Sequence, residues 1–234
     1  MSGHSKWATT KHQKVRTDSK RSNLFTKLAN LISVAARSGG DPTMNFSLRL
    51  AIDKGKAANM PKDNIERAIK RGTGELGGQR IEEELYEAYG PSGTAILIEA
   101  TTDNKNRAVA EIKSVLNKFG AKLAGSGAVS YLFERKGVIK VKSGQDEEKE
   151  LEIIESGAED YEKIDDGYLI YTKMEDLKAI QDKLSSGFEV ESAELSWEPK
   201  DTISLDDEKT DKLLKLMETI DELDDVSNVS SNLG

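Results

Sequence analysis

Apolar residues recur at helical spacing in the first third of the chain, where they predict three helices. The predicted helices cover residues 22–37, 45–58 and 61–72. In the third helix, Pro61 lies in the first turn, where its missing N–H costs nothing, and Gly72 is expected to form a left-handed cap. The apolar residues Ile65, Ala68 and Ile69 share one face of this helix, and the basic residues Arg67, Lys70 and Arg71 share the other. These helices predict a small helical domain with a basic outer face.

Beyond residue 80 the pattern changes to strands that alternate with helices. From Gly137 to Trp197 the order is β-α-β-β-α-β, the split unit of the ferredoxin-like fold. Residues 81–133 contain strands, including a predicted strand AVSYLF (128–133), and one helix. This segment lacks a second helix and an edge strand, which the helix and the strand predicted after Pro199 would supply.

The predicted fold class is therefore α+β and multi-domain, with an N-terminal helical domain followed by two α+β (ferredoxin-like) domains, one inserted in the other. The predicted units are a basic arm (1–21), a helical domain (22–80), a discontinuous α+β domain (81–134 plus 200–234) and an inserted ferredoxin-like α+β domain (135–199).

Charge is distributed unevenly along the chain, although the overall net charge is −8. Residues 1–80 carry a net charge of +10, and residues 81–234 carry −18. A basic N-terminal part joined to an acidic remainder is typical of a protein whose basic part binds a polyanion. Chance clustering in a charge-rich protein is the alternative.

Composition excludes several classes of protein and site. The absence of cysteine excludes disulfides, thiolate metal sites and cysteine nucleophiles. No run approaches the ~20 apolar residues of a membrane span, and the N-terminus lacks the apolar region of a signal peptide. We expect no membrane association and a cytoplasmic location.

Catalytic signatures are missing from the chain. The histidines are His4 and His12 alone, and no GxSxG, HExxH or Walker A motif is present. The two histidines lack a third ligand in the sequence, so a metal site between them is not expected. We therefore predict no enzyme activity, no catalytic residues, no metal site and no cofactor.

The first 27 residues combine cations with flat rings. Lys6, Lys11, Lys14, Arg16, Lys20, Arg21 and Lys27 stand against Asp18 alone. Cations of this kind bind phosphates with a salt-sensitive affinity, and Trp7 and the two imidazoles can stack on unpaired bases. The alternative is a solvated basic tail with Trp7 folded back onto the helical domain.

Several long motifs make the chain resemble the YebC/PmpR family, which includes the mitochondrial translational activator of cytochrome c oxidase. These motifs are GHSKWATTKHQK, AARSGGDP, AANMPKDNIERAIKRGTGE, YEAYGPSG, TTDNKNR and GSGAVSYLF. The resemblance implies a helical N-terminal domain and two α+β domains, one of which interrupts the other. Some members are labelled DNA-binding transcriptional regulators, and others are described as translation factors that relieve ribosomes stalled at consecutive prolines. The loop AGSGAV (124–129) departs from the family pattern, which has an acid beside the glycines in many members.

The resemblance implies that nucleic acid contacts residues in the GHSKW segment, Lys11, His12 and the helix from Lys62 to Arg71. With the cations of the arm, the predicted nucleic-acid-binding set is Gly3, His4, Ser5, Lys6, Trp7, Lys11, His12, Lys14, Arg16, Lys20, Arg21, Lys62, Arg67, Lys70 and Arg71.

The leading hypothesis is a non-enzymatic translation factor that binds ribosomal RNA on the ribosome and relieves stalled translation. The sequence does not determine the oligomeric state, for which a monomer is favoured. The alternatives are a transcriptional regulator that binds duplex DNA and a protein-interaction scaffold whose arm binds an acidic protein.

Overall fold

A computed structural model describes residues 21–77 and 80–234 of the chain. The helical domain contains α1 (Arg21–Ala35), α2 (Phe46–Ala57) and α3 (Lys62–Gly72). A 3-10 turn, Ala36–Ser38, continues α1. Asn45 fixes the entry to α2, because its side-chain oxygen accepts a hydrogen bond from the Leu48 N–H at 3.0 Å. Its amide nitrogen donates to the Ala35 carbonyl at 2.7 Å, so this single residue ties α2 to the end of α1.

Close contact between α1 and α3 forms the core of the helical domain. The Ser33 hydroxyl donates a 2.8 Å hydrogen bond to the Ala68 carbonyl, and Ile32 and Ile65 are buried beside it. The predicted left-handed cap at Gly72 is wrong, because Gly72 is the last helical residue and its φ is not positive. A Cβ there would lie 2.1 Å from the Ser33 carbonyl oxygen, so the close helix packing is what requires glycine.

Strands and helices alternate in the remainder of the described chain. In chain order they are β1 (Glu82–Tyr89), β2 (Ala95–Thr102), α4 (Lys105–Lys118), β3 (Lys122–Leu123), β4 (Phe133–Lys142), α5 (Glu147–Ser156), β5 (Asp160–Ile164), β6 (Gly167–Lys173), α6 (Leu177–Leu184), β7 (Glu189–Pro199), α7 (Asp207–Asp221) and β8 (Val226–Ser231).

The first sheet has the strand order β3-β1-β2-β8, with every pair antiparallel. Its outer strand β8 comes from the end of the chain and pairs with β2, with Val229 opposite Ile98. The helices α4 and α7 cover one face and bury an apolar core that includes Ile112 and Leu216. The first α+β unit is therefore completed by the C-terminal segment, as predicted.

The second sheet has the strand order β5-β6-β4-β7, and all of its pairs are antiparallel. With α5 and α6 on one face, this is the ferredoxin-like arrangement. Since β4 and β7 are neighbours, the two ends of the insertion lie side by side. The predicted α+β multi-domain class is confirmed, and the exact domain boundaries stay predictions.

The predicted strand AVSYLF is wrong except for its last residue. Ser130–Leu132 is a 3-10 turn, and Phe133 begins β4. The N–H groups of Val129 and Ser130 donate to the buried carboxylate of Glu87 at 2.6 and 2.9 Å. Because these N–H groups donate to a side chain, they are not available for hydrogen bonds to a neighbouring strand.

Burial raises the pKa of Glu87, but the hydrogen bonds from Val129, Ser130 and Gly127 outweigh burial and hold the pKa below its ordinary value.

Glu198, near the end of β7, is a buried carboxyl group. It is only 3% exposed, and its Oε2 atom has no hydrogen-bond partner among the described residues. Burial raises the pKa of Glu198 to about 7, although the Ser196 side chain acts in the opposite direction.

We predict that Gly72→Ala destabilises the protein by about 1–3 kcal/mol, because the added methyl group collides with backbone rather than with a flexible side chain. Urea denaturation of both proteins measures the difference. Gly125→Ala is the matched control, since a Cβ at Gly125 meets nothing within 4 Å. Equal midpoints for wild type and Gly72→Ala would contradict the packing described here.

We also predict that Glu198→Gln changes the pH dependence of stability. The folded-state pKa of about 7 exceeds the ordinary value of 4.5, so the folded protein holds the extra proton between these values. Wild-type stability then falls as pH rises through this window. The variant lacks this loss, so its stability relative to wild type should rise by up to about 3 kcal/mol between pH 4.5 and 8.

Denaturation midpoints across this pH range test the prediction. Glu83→Gln, an exposed change in β1, serves as the control. Parallel stability curves for Glu198→Gln and wild type would contradict it.

Candidate nucleic-acid interface

The predicted nucleic-acid-binding residues fall into two groups. The first group lies outside the described residues and comprises Gly3, His4, Ser5, Lys6, Trp7, Lys11, His12, Lys14, Arg16 and Lys20. Arg21 is the first residue of α1, and Lys62, Arg67, Lys70 and Arg71 all lie on α3. Because α1 packs against α3, the arm joins the same domain that presents the α3 cations.

The α3 helix is amphipathic, and its polar face carries exposed cations. Ile65 and Ala68 are buried against α1 and α2, whereas Lys62, Arg67 and Lys70 are exposed. Lys62 Nζ lies 3.5 Å from Glu66 Oε1, but the lysine side chain is 87% exposed, so this pair is weak. Lys70 and Arg71 occupy the last turn, where the helix dipole favours positive charge.

Arg71 differs from the other α3 cations because it faces an acid in another domain. Its Nη2 atom lies 3.5 Å from Asp103 Oδ2, and Asp103 also accepts a hydrogen bond from Arg107 at 3.2 Å. Arg71 therefore helps attach α3 to the first α+β unit. Among the described residues, no carboxylate lies within ion-pair distance of Arg67 or Lys70, which leaves these two cations directed to solvent.

Two further cations of the helical domain also contact the acidic part of the chain. The Lys27 ammonium donates to the backbone carbonyl of Asp221, and Lys54 forms an ion pair with Glu194. Lys27, counted above with the cations of the arm, thus lies at a domain junction.

The helical domain stays basic as a whole, with ten Lys and Arg against five Asp and Glu in residues 21–77.

Sequence reasoning missed Asp103, which follows β2 in the TTDNKNR motif. Asp103 contacts Arg71, which lies 32 positions earlier in another domain, and such a contact produces no periodic pattern in the sequence. It also missed Arg49, whose guanidinium braces the loop before α2 by donating to the carbonyls of Pro42 and Thr43 at 3.0 and 3.1 Å. Arg71, through Asp103, and Arg49, through these two carbonyls, both stabilise the helical domain that presents the exposed face of α3.

Residues 21–77 and 80–234 contain no group of three or more His, Asp or Glu side chains arranged to hold a metal ion. Within the same ranges, no helix combines the length and the apolar character that a membrane span needs.

Two family models match the chain, one on each side of the segment that follows α3. Residues 5–75 match the TACO1/YebC protein N-terminal domain, and residues 81–233 match the TACO1/YebC second and third domain. The chain belongs to the TACO1/YebC family. The resemblance drawn from the sequence motifs is therefore confirmed, and it extends over the acidic part of the chain as well as the basic part.

Relatives within the TACO1/YebC family match along nearly their whole length. A probable transcriptional regulatory protein of Dehalococcoides mccartyi strain BAV1 is 49% identical over 99% of this chain and 94% of its own. Another of that name from Aquifex aeolicus is 47% identical over 99% of this chain and 95% of its own. The crystal structure of a conserved hypothetical protein, Aq1575, from Aquifex aeolicus superimposes with a TM-score of 0.91 at 45% identity, covering 98% and 97% of the two chains. The full arrangement of three domains is thus shared with an experimental structure.

Proposed function

We propose that this TACO1/YebC protein is a non-enzymatic, nucleic-acid-binding regulator of gene expression. Its relatives are named probable transcriptional regulatory proteins, which supports regulation of gene expression as the class of function. Within that class we propose a translation factor that contacts ribosomal RNA. The observation that carries this proposal is the junction of the basic arm with α1, whose partner α3 presents Arg67 and Lys70 to solvent.

Phosphate contacts supply the binding energy in this proposal. Residues 1–20 contain five Lys and Arg against Asp18 alone. Each phosphate that such a cation neutralises releases condensed counterions, which makes affinity fall steeply with salt. Trp7, His4 and His12 supply flat rings that stack on unpaired bases, and single-stranded regions of RNA offer such bases.

The acidic α+β units would keep the rest of the molecule away from RNA phosphates. Residues 81–234 carry a net charge of −18, so they are repelled by a polyanion and orient the basic side toward it. No catalytic group is needed in this mechanism. The bound protein would act by ordering the ribosomal RNA around the peptidyl-transfer substrates, which is an entropic contribution.

A transcriptional regulator that binds duplex DNA is the second candidate, and the names of the relatives favour it. It requires side chains that reach base edges in the major groove. Arg67 and Lys70 would have to serve this role, since they are exposed on a rigid helix. A protein-interaction scaffold whose arm binds an acidic protein is a third candidate, which salt-resistant binding after nuclease treatment would favour.

We predict that the triple change Lys6→Ala, Trp7→Ala and Lys11→Ala weakens association with ribosomal subunits by at least tenfold at physiological salt. The variant loses two phosphate contacts and one stacking platform, worth roughly 1–3 kcal/mol for the stacked base alone. Sedimentation of the protein with purified subunits measures the association, and a salt series should show a shallower slope for the variant.

Lys113→Ala with Lys118→Ala is the control for this experiment. It removes two exposed cations from α4, in the acidic part of the chain, and should leave association unchanged. Normal association of the triple variant would contradict the role proposed for the arm.

A smaller effect is expected for Arg67→Ala with Lys70→Ala on α3. Both side chains are exposed, so the double variant should fold normally and lose about three- to tenfold in affinity for ribosomal RNA through lost phosphate contacts. Fluorescence anisotropy with labelled RNA fragments measures the change against the same α4 control. Affinity equal to wild type would remove α3 from the proposed interface.

A further inference from the structure

Two exposed tyrosines lie at the loop between β3 and β4. Among the aromatic side chains of residues 21–77 and 80–234, only Tyr89 and Tyr131 are exposed, at 43% and 65%. Tyr89 is the last residue of β1, and its hydroxyl donates to the Ala128 carbonyl at 3.0 Å. Tyr131 follows three residues after Ala128, in the 3-10 turn that precedes β4. The same small region therefore presents both rings.

The loop that carries Tyr131 is held in place by Glu87. The N–H groups of Gly127, Val129 and Ser130 donate to its carboxylate at 2.6, 2.6 and 2.9 Å. Hydrogen bonds to a charged acceptor are stronger than neutral ones, so they fix the backbone immediately before the tyrosine. A ring on a backbone that is already ordered loses less conformational entropy when a ligand binds.

Glycines in this loop leave the backbone open to a ligand. A Cβ added at Gly125 or Gly127 would meet nothing within 4 Å, and both residues are exposed. The φ of +82° accounts for glycine at 127, but the φ of Gly125 is not positive. The fold therefore does not require glycine at 125. A bare backbone at such a position allows a ligand to approach closely.

Two exposed lysines flank the tyrosines. Lys122 lies opposite Tyr89 in the pairing of β1 with β3, and Lys200 Nζ donates to the carbonyl of Tyr131 at 2.9 Å. Within the described ranges, neither lysine has a carboxylate at ion-pair distance. They place positive charge beside the rings, in a part of the chain whose net charge is −18.

These surroundings favour a nucleic acid over a protein partner. Leu85, the other exposed large apolar residue of β1, lies four residues from Tyr89, roughly 13 Å along the strand. The rings therefore lie among lysines and glycine backbone, and not in the continuous apolar patch that marks a protein interface. Single-stranded nucleic acid suits such a surface, because its bases stack on aromatic rings and its phosphates attract cations.

We propose that Tyr131, with Tyr89 beside it, is a stacking platform for an unpaired base of single-stranded RNA, and that Lys122 and Lys200 contact the adjoining phosphates. This role rests on the function proposed above, because RNA is the ligand in both.

The platform is separate from the cations of α3. Arg71 faces Asp103, which follows the end of β2 at Thr102, whereas Tyr89 pairs with Ala95 at the start of that strand. The eight residues of β2 set these two ends roughly 23 Å apart. Loss of the platform should therefore add to the effect of Arg67→Ala with Lys70→Ala rather than replace it.

Fluorescence anisotropy of full-length variants with a labelled, unstructured oligouridylate tests the platform. Tyr131→Ala removes the ring, whereas Tyr131→Phe keeps the ring and removes the hydroxyl. Ile154→Ala is the matched control, because it removes an exposed apolar side chain from α5 in the other α+β domain. The same variants are also measured with an RNA duplex and with ribosomal subunits. The exposure of Tyr131 means that all three variants should fold, which their urea midpoints check.

We expect Tyr131→Ala to bind the oligouridylate five- to tenfold more weakly than wild type, and Tyr131→Phe and Ile154→Ala to bind as wild type does. Binding to the duplex should not change, because its paired bases are not available for stacking.

Three results would overturn the platform while leaving the proposed function in place. One is equal affinity of wild type and Tyr131→Ala for the oligouridylate, and another is an equal loss in Tyr131→Phe, which would assign the contact to the hydroxyl. The third is weaker association of Tyr131→Ala with subunits alone, which would make a ribosomal protein the partner. Failure of the wild-type protein to bind any RNA would instead contradict the proposed function, and the platform with it.

Discussion

The antiparallel pairing of β2 with β8 is the contact on which the rest of the structure depends. It joins residues such as Glu99 and Asn228, 129 positions apart, whose side chains also bond at 3.0 Å. The buried Asp225, just before β8, accepts hydrogen bonds from the Nε and Nη2 atoms of Arg107 at 2.8 to 3.0 Å. Losing Arg107 would leave the carboxylate of Asp225, whose side chain is only 6% exposed, without this partner. The first sheet is therefore complete only when the last segment of the chain returns to it.

This closure also sets the position of the basic domain. Asn30 of α1 donates to the carbonyl of Thr101 in β2 at 3.3 Å, and Arg71 of α3 faces Asp103 just beyond that strand. The helical domain is thus anchored to the strand that β8 completes. Its exposed cations Arg67 and Lys70 are therefore held on a helix that is joined to a strongly acidic remainder. Such an arrangement suits a protein that presents one side to a polyanion.

Local patterns predicted much of this architecture. The three helices and the β-α-β-β-α-β order follow from the spacing of apolar residues along the chain. The return of the C-terminal strand follows from the order of elements, because residues 81–133 lack a second helix and an edge strand. The errors have tertiary causes. The pattern of AVSYLF predicts a strand, but the N–H groups of Val129 and Ser130 donate to the carboxylate of Glu87 on β1. The position of Gly72 after the last predicted turn indicates a left-handed helix cap. In the structure, glycine is required there because the carbonyl of Ser33 approaches too closely for any side chain. On α3, the exposure of Arg67 and Lys70 follows from the helical wheel, whereas the partner of Arg71 belongs to a distant segment.

We propose ribosomal RNA, rather than duplex DNA, as the ligand of the basic arm and α3. Co-sedimentation of the purified wild-type protein with ribosomal subunits, at physiological salt and with excess duplex DNA as competitor, tests it most directly. We predict that the protein stays with the large subunit despite the DNA, because RNA offers unpaired bases for stacking as well as phosphates. Transfer of the protein to the DNA would contradict the proposed role in translation and support the transcriptional alternative.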